Sequence, residues 1–288
     1  MQLQKATRKQ VKLKLGLSAV AGGGKTKGAL LLAKGLCGNW EKIAVIDTEN
    51  NSASLYSDMG PFNTLELTAD YTPEKYIQAI KACEDAGMEV IIIDSITHEW
   101  DGKGGIIDIS NSMTGNSFTN WAKITPRHQA FIDAILQSKC HVITTVRRKQ
   151  DYEMNKDSNG KTTVTKAGLK EVTREGFEYE LTLNFNLDER HNCTASKDRT
   201  GLFMDKPAFI ITEDTGKLIK QWCEQGVDVD GVRKEELASA IAGLALAETK
   251  QDLVDFKKTL PAYIVEDASF LTAGKERLNV IMASAPKK

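Results

Sequence analysis

No apolar run in this 288-residue chain approaches the roughly 20 residues of a membrane-spanning helix, so no membrane segment is expected. Cysteine is sparse. Cys37, Cys83, Cys140, Cys193 and Cys223 are odd in number and never fall in Cys-x-x-Cys spacing, which argues against a disulfide frame and a zinc site and fits reduced intracellular thiols. The four histidines include no pair at metal-ligand spacing, and His98-Glu99 lacks the second histidine of a zinc-protease helix. A surplus of one charge is also missing: 38 basic against 39 acidic residues leave a net charge of −1, so nucleic-acid binding by bulk charge is excluded and any such binding must be local. Residues Met1 to Gln10 are polar and basic with no apolar centre, which predicts no signal peptide and a cytoplasmic protein. No internal repeat or low-complexity tract stands out. What is present, 41% hydrophobic and 27% charged residues, suits a soluble globular protein of one large α/β domain and a small appendage.

The chain is organised around Leu15-Gly-Leu-Ser-Ala-Val-Ala-Gly-Gly-Gly-Lys25-Thr26. An apolar run from Val11 to Leu17 reads as a buried strand, and Lys25 to Lys34 has helical spacing. A strand, a glycine-rich turn and a helix opening on Lys-Thr form a phosphate cradle. Gly22, Gly23 and Gly24 let several N–H groups converge on one anion, and the helix N-terminus adds its partial positive charge. Lys25 is then expected to reach the β- and γ-phosphates, standing free in solvent until they arrive, with the Thr26 hydroxyl on Mg²⁺. Ala19 occupies the position where the motif asks for its first glycine.

Lys42 to Asp47 is a second buried strand, running into Thr48-Glu49-Asn50-Asn51. Asn63 to Thr68 is a weaker strand, and a helix starts at Thr72-Pro-Glu-Lys and reaches about Ala86. Glu89 to Asp94 is the most apolar strand, and its terminal aspartate is costly unless it faces a cavity or a metal. Thr97 to Asn120 reads as a flexible polar connection, Trp121 to Ser138 as a helix with Pro126 near its start, and Cys140 to Thr145 as the next buried strand. Gln150 to Gly176 reads as a long mobile loop or a ribbon; residues 147–176 hold eight basic and five acidic residues. Tyr179 to Asn186 and His191 to Lys197 alternate like an antiparallel pair. Ala208 to Thr212 is a last strand and Gly216 to Gln225 a closing helix. Gly226 to Gly231 reads as a linker, followed by helices near 233–247, 251–260 and 268–283. One of them bears Leu237, Ile241 and Leu244, another Phe270, Leu271, Leu278 and Ile281. These are either a helical cap or a docking module for a partner. The domain boundaries expected are 1–226 for the core and 227–288 for the helical segment.

The order of these motifs resembles the RecA-type ATPase core. Ile93-Asp-Ser-Ile-Thr-His-Glu-Trp100 and Ser196-Lys-Asp-Arg-Thr200 are similar to phage-encoded RecA-like ATPases linked to single-strand annealing and recombination. The resemblance covers about 13–226. It implies an α/β fold with a mostly parallel central sheet flanked by helices, plus the small C-terminal helical segment. It implies Glu49, 24 residues after Lys25, as the glutamate that orients the attacking water. Tyr56 is implied to stack on adenine, where a core aromatic is an equal alternative, and Asp94 to hold Mg²⁺ with Thr26. Thr145 stands where such recombinases often carry a glutamine that senses the γ-phosphate. Arg147, Arg148, Lys149 and Tyr152 match a DNA-facing loop, and Lys197 and Arg199 a cationic finger offered to a neighbouring subunit's γ-phosphate, on a stretch with no obvious acidic cluster nearby.

Together these imply a Mg²⁺-dependent ATPase that binds ATP, assembles into a homo-oligomeric ring or filament and acts on single-stranded DNA. A single-strand-binding protein would be a further partner, and the host cytoplasm the location if the protein is phage-encoded. Two other readings stay open: a P-loop enzyme phosphorylating a small molecule, and a slow nucleotide-binding switch that docks a protein.

Overall fold

In the computed structural model, which describes residues 5–156 and 162–284, the apolar runs become the centre of one sheet. In chain order the sheet-bearing unit contains β1 (Lys14–Ala19), α1 (Lys25–Cys37), β2 (Ile43–Asp47), β3 (Asn63–Glu66), α2 (Pro73–Asp85) and β4 (Val90–Asp94). Then follow α3 (Thr97–Asp101), α4 (Ile106–Ser112), α5 (Ser117–Gln137), β5 (His141–Lys156) and β6 (Thr162–Glu171). The last elements are α6 (Phe177–Glu180), β7 (Leu183–Leu187), β8 (Asn192–Asp198), β9 (Phe209–Ile210) and α7 (Glu213–Cys223). The nine-stranded sheet has the order β3-β2-β4-β5-β1-β7-β8-β9, with β6 pairing β5 off this path. All pairs from β3 through β1 to β7 are parallel; β8 and β9 turn back antiparallel, as β6 does on β5. The α/β fold with a mostly parallel sheet flanked by helices is the one expected.

Continuous apolar runs are what a parallel sheet buried on both faces requires. Leu15, Leu17, Ile43, Val45, Val90, Ile92 and Ile143 point to one face and pack with α1 and α7. Ala44, Ile46, Ile91, Ile93, Val142 and Val146 point to the other and pack with α2 and α5. Helices α1 and α7 meet backbone to backbone: a Cβ on Gly35 would lie 2.1 Å from Glu213 O, and one on Gly216 2.4 Å from Leu32 O.

Three expectations are corrected. Thr97 to Asn120 is not a flexible connection; it folds into α3, α4 and the first turn of α5, which Asn116 caps by accepting from Phe118 N at 2.8 Å. A buried pair anchors this stretch, His128 Nδ1 lying 3.0 and 3.1 Å from the two carboxylate oxygens of Glu99. Starting at Ser117, α5 also places Pro126 inside the helix, not near its start. Of the two readings of Gln150 to Gly176, residues 157–161 of which lie outside the described ones, the ribbon holds for 150–156 and 162–171: β5 runs out of the sheet to Lys156 and pairs with β6, with a register shift at Asp151/Tyr152. Finally, Tyr179 lies in α6, so the strand expected from Tyr179 begins only at Leu183.

Val11–Glu224 is one compact unit; the other joins Gln225 onward to the N-terminal residues up to Gln10, Lys9 pairing in parallel with Val227. In place of a linker and three helices, this second unit has α8 (Val229–Leu244), α9 (Lys250–Thr259), a short α10 (Ala262–Val265) and α11 (Ala268–Ser284). Ala240, Leu244, Leu253, Ile264 and Phe270 form its core, with Leu237, Ile241, Leu278 and Ile281 against it. Leu271, expected on that apolar face, is 41% exposed. Among the described residues no helix is long and apolar enough to cross a membrane.

Candidate active site

Strand β1 leaves the sheet into the glycine turn, and the backbone there has the form that an anion cradle needs. Gly22 and Gly24 have φ of 77° and 83°, in the left-handed region that glycine enters without cost. No side chain caps the N-terminus of α1, so its first-turn N–H groups face the loop unclaimed by a cap. The Ala19 substitution is absorbed locally: a Cβ on Gly23 would sit 2.7 Å from the Ala19 methyl, so the missing side chain of Gly23 makes room for it. His191, on the turn between β7 and β8, lies against Gly24, where a Cβ would come within 2.9 Å of its Nδ1. Nothing in the sequence pattern pointed to His191.

Lys25 does not stand free in solvent. Its Nζ folds back to donate to Val20 O at 3.1 Å and Ala19 O at 3.4 Å, the residue is 8% exposed, and burial lowers its pKa. The loop carbonyls thus hold the cation where a phosphate would arrive.

Parallel register brings the other groups to the same sheet edge. Asp47 pairs with Asp94, and Ala19 with Arg147. Asp94 is 2% exposed and accepts from Thr26 Oγ1 and Thr145 Oγ1, each at 2.5 Å; burial raises its pKa in spite of both bonds. Thr145 therefore binds the buried aspartate. Asp47, also buried, shapes the next turn by accepting from Glu49 N and Ala53 N at 2.7 Å each. Asn50 and Asn51 complete that turn with φ of 55° and 61°, a conformation asparagine tolerates better than most residues.

Glu49 is thereby set at the edge with its carboxylate toward β5, where Arg147 Nε donates to Oε1 at 2.8 Å. Burial alone would raise the Glu49 pKa; the hydrogen bond and charge of Arg147, joined by Ser95 and the charge of Lys25, outweigh it and hold the carboxyl below its usual range. Behind Glu49, Thr48 Oγ1 accepts from Ser95 N at 2.9 Å and lies 2.8 Å from His98 Nδ1, and the Tyr71 ring stacks on His98 at 4.9 Å. These supports are scattered in sequence and carry no motif.

The remaining candidates lie elsewhere. Tyr56 is half-buried and packs against the core beneath α1. Arg148 donates from Nη2 to Leu169 O within the ribbon, and Lys149 lies 3.7 Å from Asp101. Tyr152 is 57% exposed on the ribbon. Lys197 pairs with Asn184, whose own parallel partner is Gly16, and Arg199 N donates to Thr182 O. Lys197 is thus level with Gly16, about 10 Å before the end of β1 where the P-loop leaves it, and Arg199 lies near the level of Lys14, about 17 Å before it, at about 3.3 Å per residue. The expected lack of acids around them is corrected: Glu180 and Glu178 are close enough to raise the Lys197 pKa, although burial and Arg199 lower it more.

A glycine cradle, a lysine beneath it, a buried aspartate on the neighbouring strand pair and a glutamate at the same edge define a P-loop nucleotidase. The family model described as AAA domain matches residues 11–222, which is 212 of the 288 residues. The chain belongs to this family of AAA-type P-loop ATPases. No curated protein matches the chain.

Proposed function

We propose that this protein hydrolyses ATP with Mg²⁺ and couples the reaction to single-stranded DNA, in annealing or recombination of the kind served by phage RecA-like ATPases. Lys25 and the N–H groups of Gly22 to Thr26 take the phosphates. Glu49 accepts a hydrogen bond from the attacking water and orients it toward the γ-phosphorus. The donor set suits Mg²⁺, since one buried carboxylate, Asp94, already receives the Thr26 hydroxyl, and this ion completes its shell with phosphate oxygens and water. When bound, it neutralises charge on the β- and γ-oxygens. Lys197 and Arg199, set back along β1 from their own P-loop, serve a neighbouring subunit's γ-phosphate in a ring or filament.

The observation that carries the DNA reading is the ribbon. Lys149 stands directly opposite Lys170, and Tyr152 opposite Lys166. Like charges facing each other across a strand pair are destabilising unless anions offset them, and the exposed Asp101, 3.7 Å from Lys149, offsets only one of these lysines. Lys166, Leu169 and Lys170 are exposed beside the open Tyr152 ring. Phosphates on paired lysines with bases on an aromatic ring are the needs of single-stranded nucleic acid. Arg147 and Arg148 are otherwise engaged, so the contact shifts from the Arg147–Lys149 cluster to these ribbon residues. Fluorescence anisotropy with a labelled oligonucleotide tests it: Lys149→Ala, Lys166→Ala and Lys170→Ala together abolish most of the affinity and flatten its salt dependence. Unchanged affinity in that variant rejects the ribbon as the binding surface.

A further inference from the structure

Arg147 occupies a position that neither the nucleotide cradle nor the ribbon explains. It is the residue at which β5 leaves the sheet: its register partner is Ala19, the last residue of β1 before the P-loop, and from Arg148 onward β5 pairs only with β6. Its backbone is held on both sides, the N–H donating to Thr97 Oγ1 at 2.9 Å and the carbonyl accepting from Val172 N at 2.8 Å. Its guanidinium reaches back across the sheet edge to Glu49 at 2.8 Å, with side-chain exposures of 41% and 21% for the two partners. The root of the ribbon and the grip on Glu49 are therefore one residue.

We infer that Arg147 is a positioning residue that holds Glu49 off its water in the resting enzyme, with the ribbon as the lever that releases it. A carboxylate engaged by a guanidinium is a weaker acceptor for a water proton than a free one. The grip is also breakable. The pair is partly open to solvent and neither partner makes a second ion pair among the described residues, so a modest displacement of the strand separates them. A shift of β5 on loading the ribbon moves the Arg147 backbone with it, because Arg147 continues directly into the ribbon and its carbonyl accepts from Val172 N, the residue that follows β6. Glu49 stays behind, since Asp47 anchors its turn through Glu49 N and Ala53 N. Release of Glu49 then coincides with occupancy of the ribbon. The lever rests on the reading of the ribbon as a single-strand site; the grip does not.

The test separates the two. Arg147→Gln keeps the start of the aliphatic stem, a polar end and the backbone contacts while removing the charge and the reach to Glu49. Without nucleic acid its kcat for ATP is expected to rise about fivefold, the scale of losing one partly exposed ion pair, with KM unchanged. Saturating oligonucleotide should add no further stimulation, while oligonucleotide binding by anisotropy stays at the wild-type level. Arg147→Lys, which restores the charge without the fork geometry, should fall between the two. Adding Glu49→Gln to Arg147→Gln should erase the gain, showing that it runs through the carboxylate. A basal kcat at or below wild type in an Arg147→Gln protein that melts normally overturns the inference. A raised basal kcat with no oligonucleotide binding to either protein keeps the grip and removes the lever together with the single-strand reading.

Discussion

Two groups of cations, Arg147 on one side and Lys197 with Arg199 on the other, belong to the same sheet but have opposite electrostatic situations. Arg147 has its anion inside the chain, the Glu49 carboxylate at 2.8 Å. Among the described residues, Lys197 Nζ is buried with no hydrogen-bond partner, and the Arg199 side chain donates to the neutral Tyr179 carbonyl at 3.3 Å. Lys14 shows that burial by itself does not leave a lysine in that state: at the start of β1 its Nζ donates to Ser138 O and Cys140 O at 2.7 Å each. A buried ammonium without a partner is expensive. Arg147 makes an ion pair within its own chain, whereas Glu180 and Glu178 act on Lys197 only through their charge, and neither Lys197 nor Arg199 makes an ion pair among the described residues.

The largest effect that could break this comparison is expected at Arg199. If its anion is a neighbour's γ-phosphate, Arg199→Ala should bind ATP normally and turn over about 10³-fold more slowly, the lower end of the range for a finger supplied in trans. Mixing it with Lys25→Ala, itself inactive, should recover part of the activity in co-assembled protein, because some interfaces then pair an intact P-loop with an intact finger. No recovery in confirmed mixed assemblies would remove the trans assignment.

A smaller effect sharpens the contrast from the start of the sheet, where His141 is satisfied as a neutral acceptor: its Nδ1 takes Leu13 N at 3.0 Å. Burial first, then Lys12 and Lys14, lower its pKa from 6.5 to about 3. Below pH 6.5 the unfolded chain takes up a proton on this residue that the folded chain refuses, so its contribution is complete above pH 6.5 and lost as pH falls toward 3. Denaturant titrations should show wild type losing about 2 to 3 kcal/mol between pH 6.5 and 4.5 from this group, at about 1.4 kcal/mol per pH unit. His141→Asn, which keeps an acceptor for Leu13 N, should reduce the loss by that amount; an identical slope in both proteins would refute the assignment.

How much of this was legible in the sequence follows from where the signals are local. The cradle, the buried strands and the acids Glu49 and Asp94 announce themselves as apolar runs ending in polar residues, a pattern that a parallel sheet's catalytic edge imposes. The role of Arg147 was not legible. Thr-Thr-Val-Arg-Arg-Lys reads as a basic cluster facing outward, and only the register pairing Ala19 with Arg147 puts its guanidinium beside a carboxylate 98 residues away. The helices between Thr97 and Asn120 were hidden for a similar reason. Their sequence is rich in glycine, serine and asparagine, and the contacts that order them, Glu99 with His128 and Trp100 with Trp121, bridge separate helices. Lys25 was misplaced because the carbonyls that hold it, Ala19 and Val20, belong to the backbone, which side-chain patterns do not report.

The central claim is that ATP turnover at Glu49 is coupled to a single strand on the ribbon. Steady-state ATPase rates without nucleic acid, with single-stranded DNA and with duplex DNA of the same sequence address it most directly. The account predicts a slow rate alone, clear stimulation by the single strand and little by the duplex. Equal rates in all three conditions, at DNA concentrations that saturate binding, would contradict it.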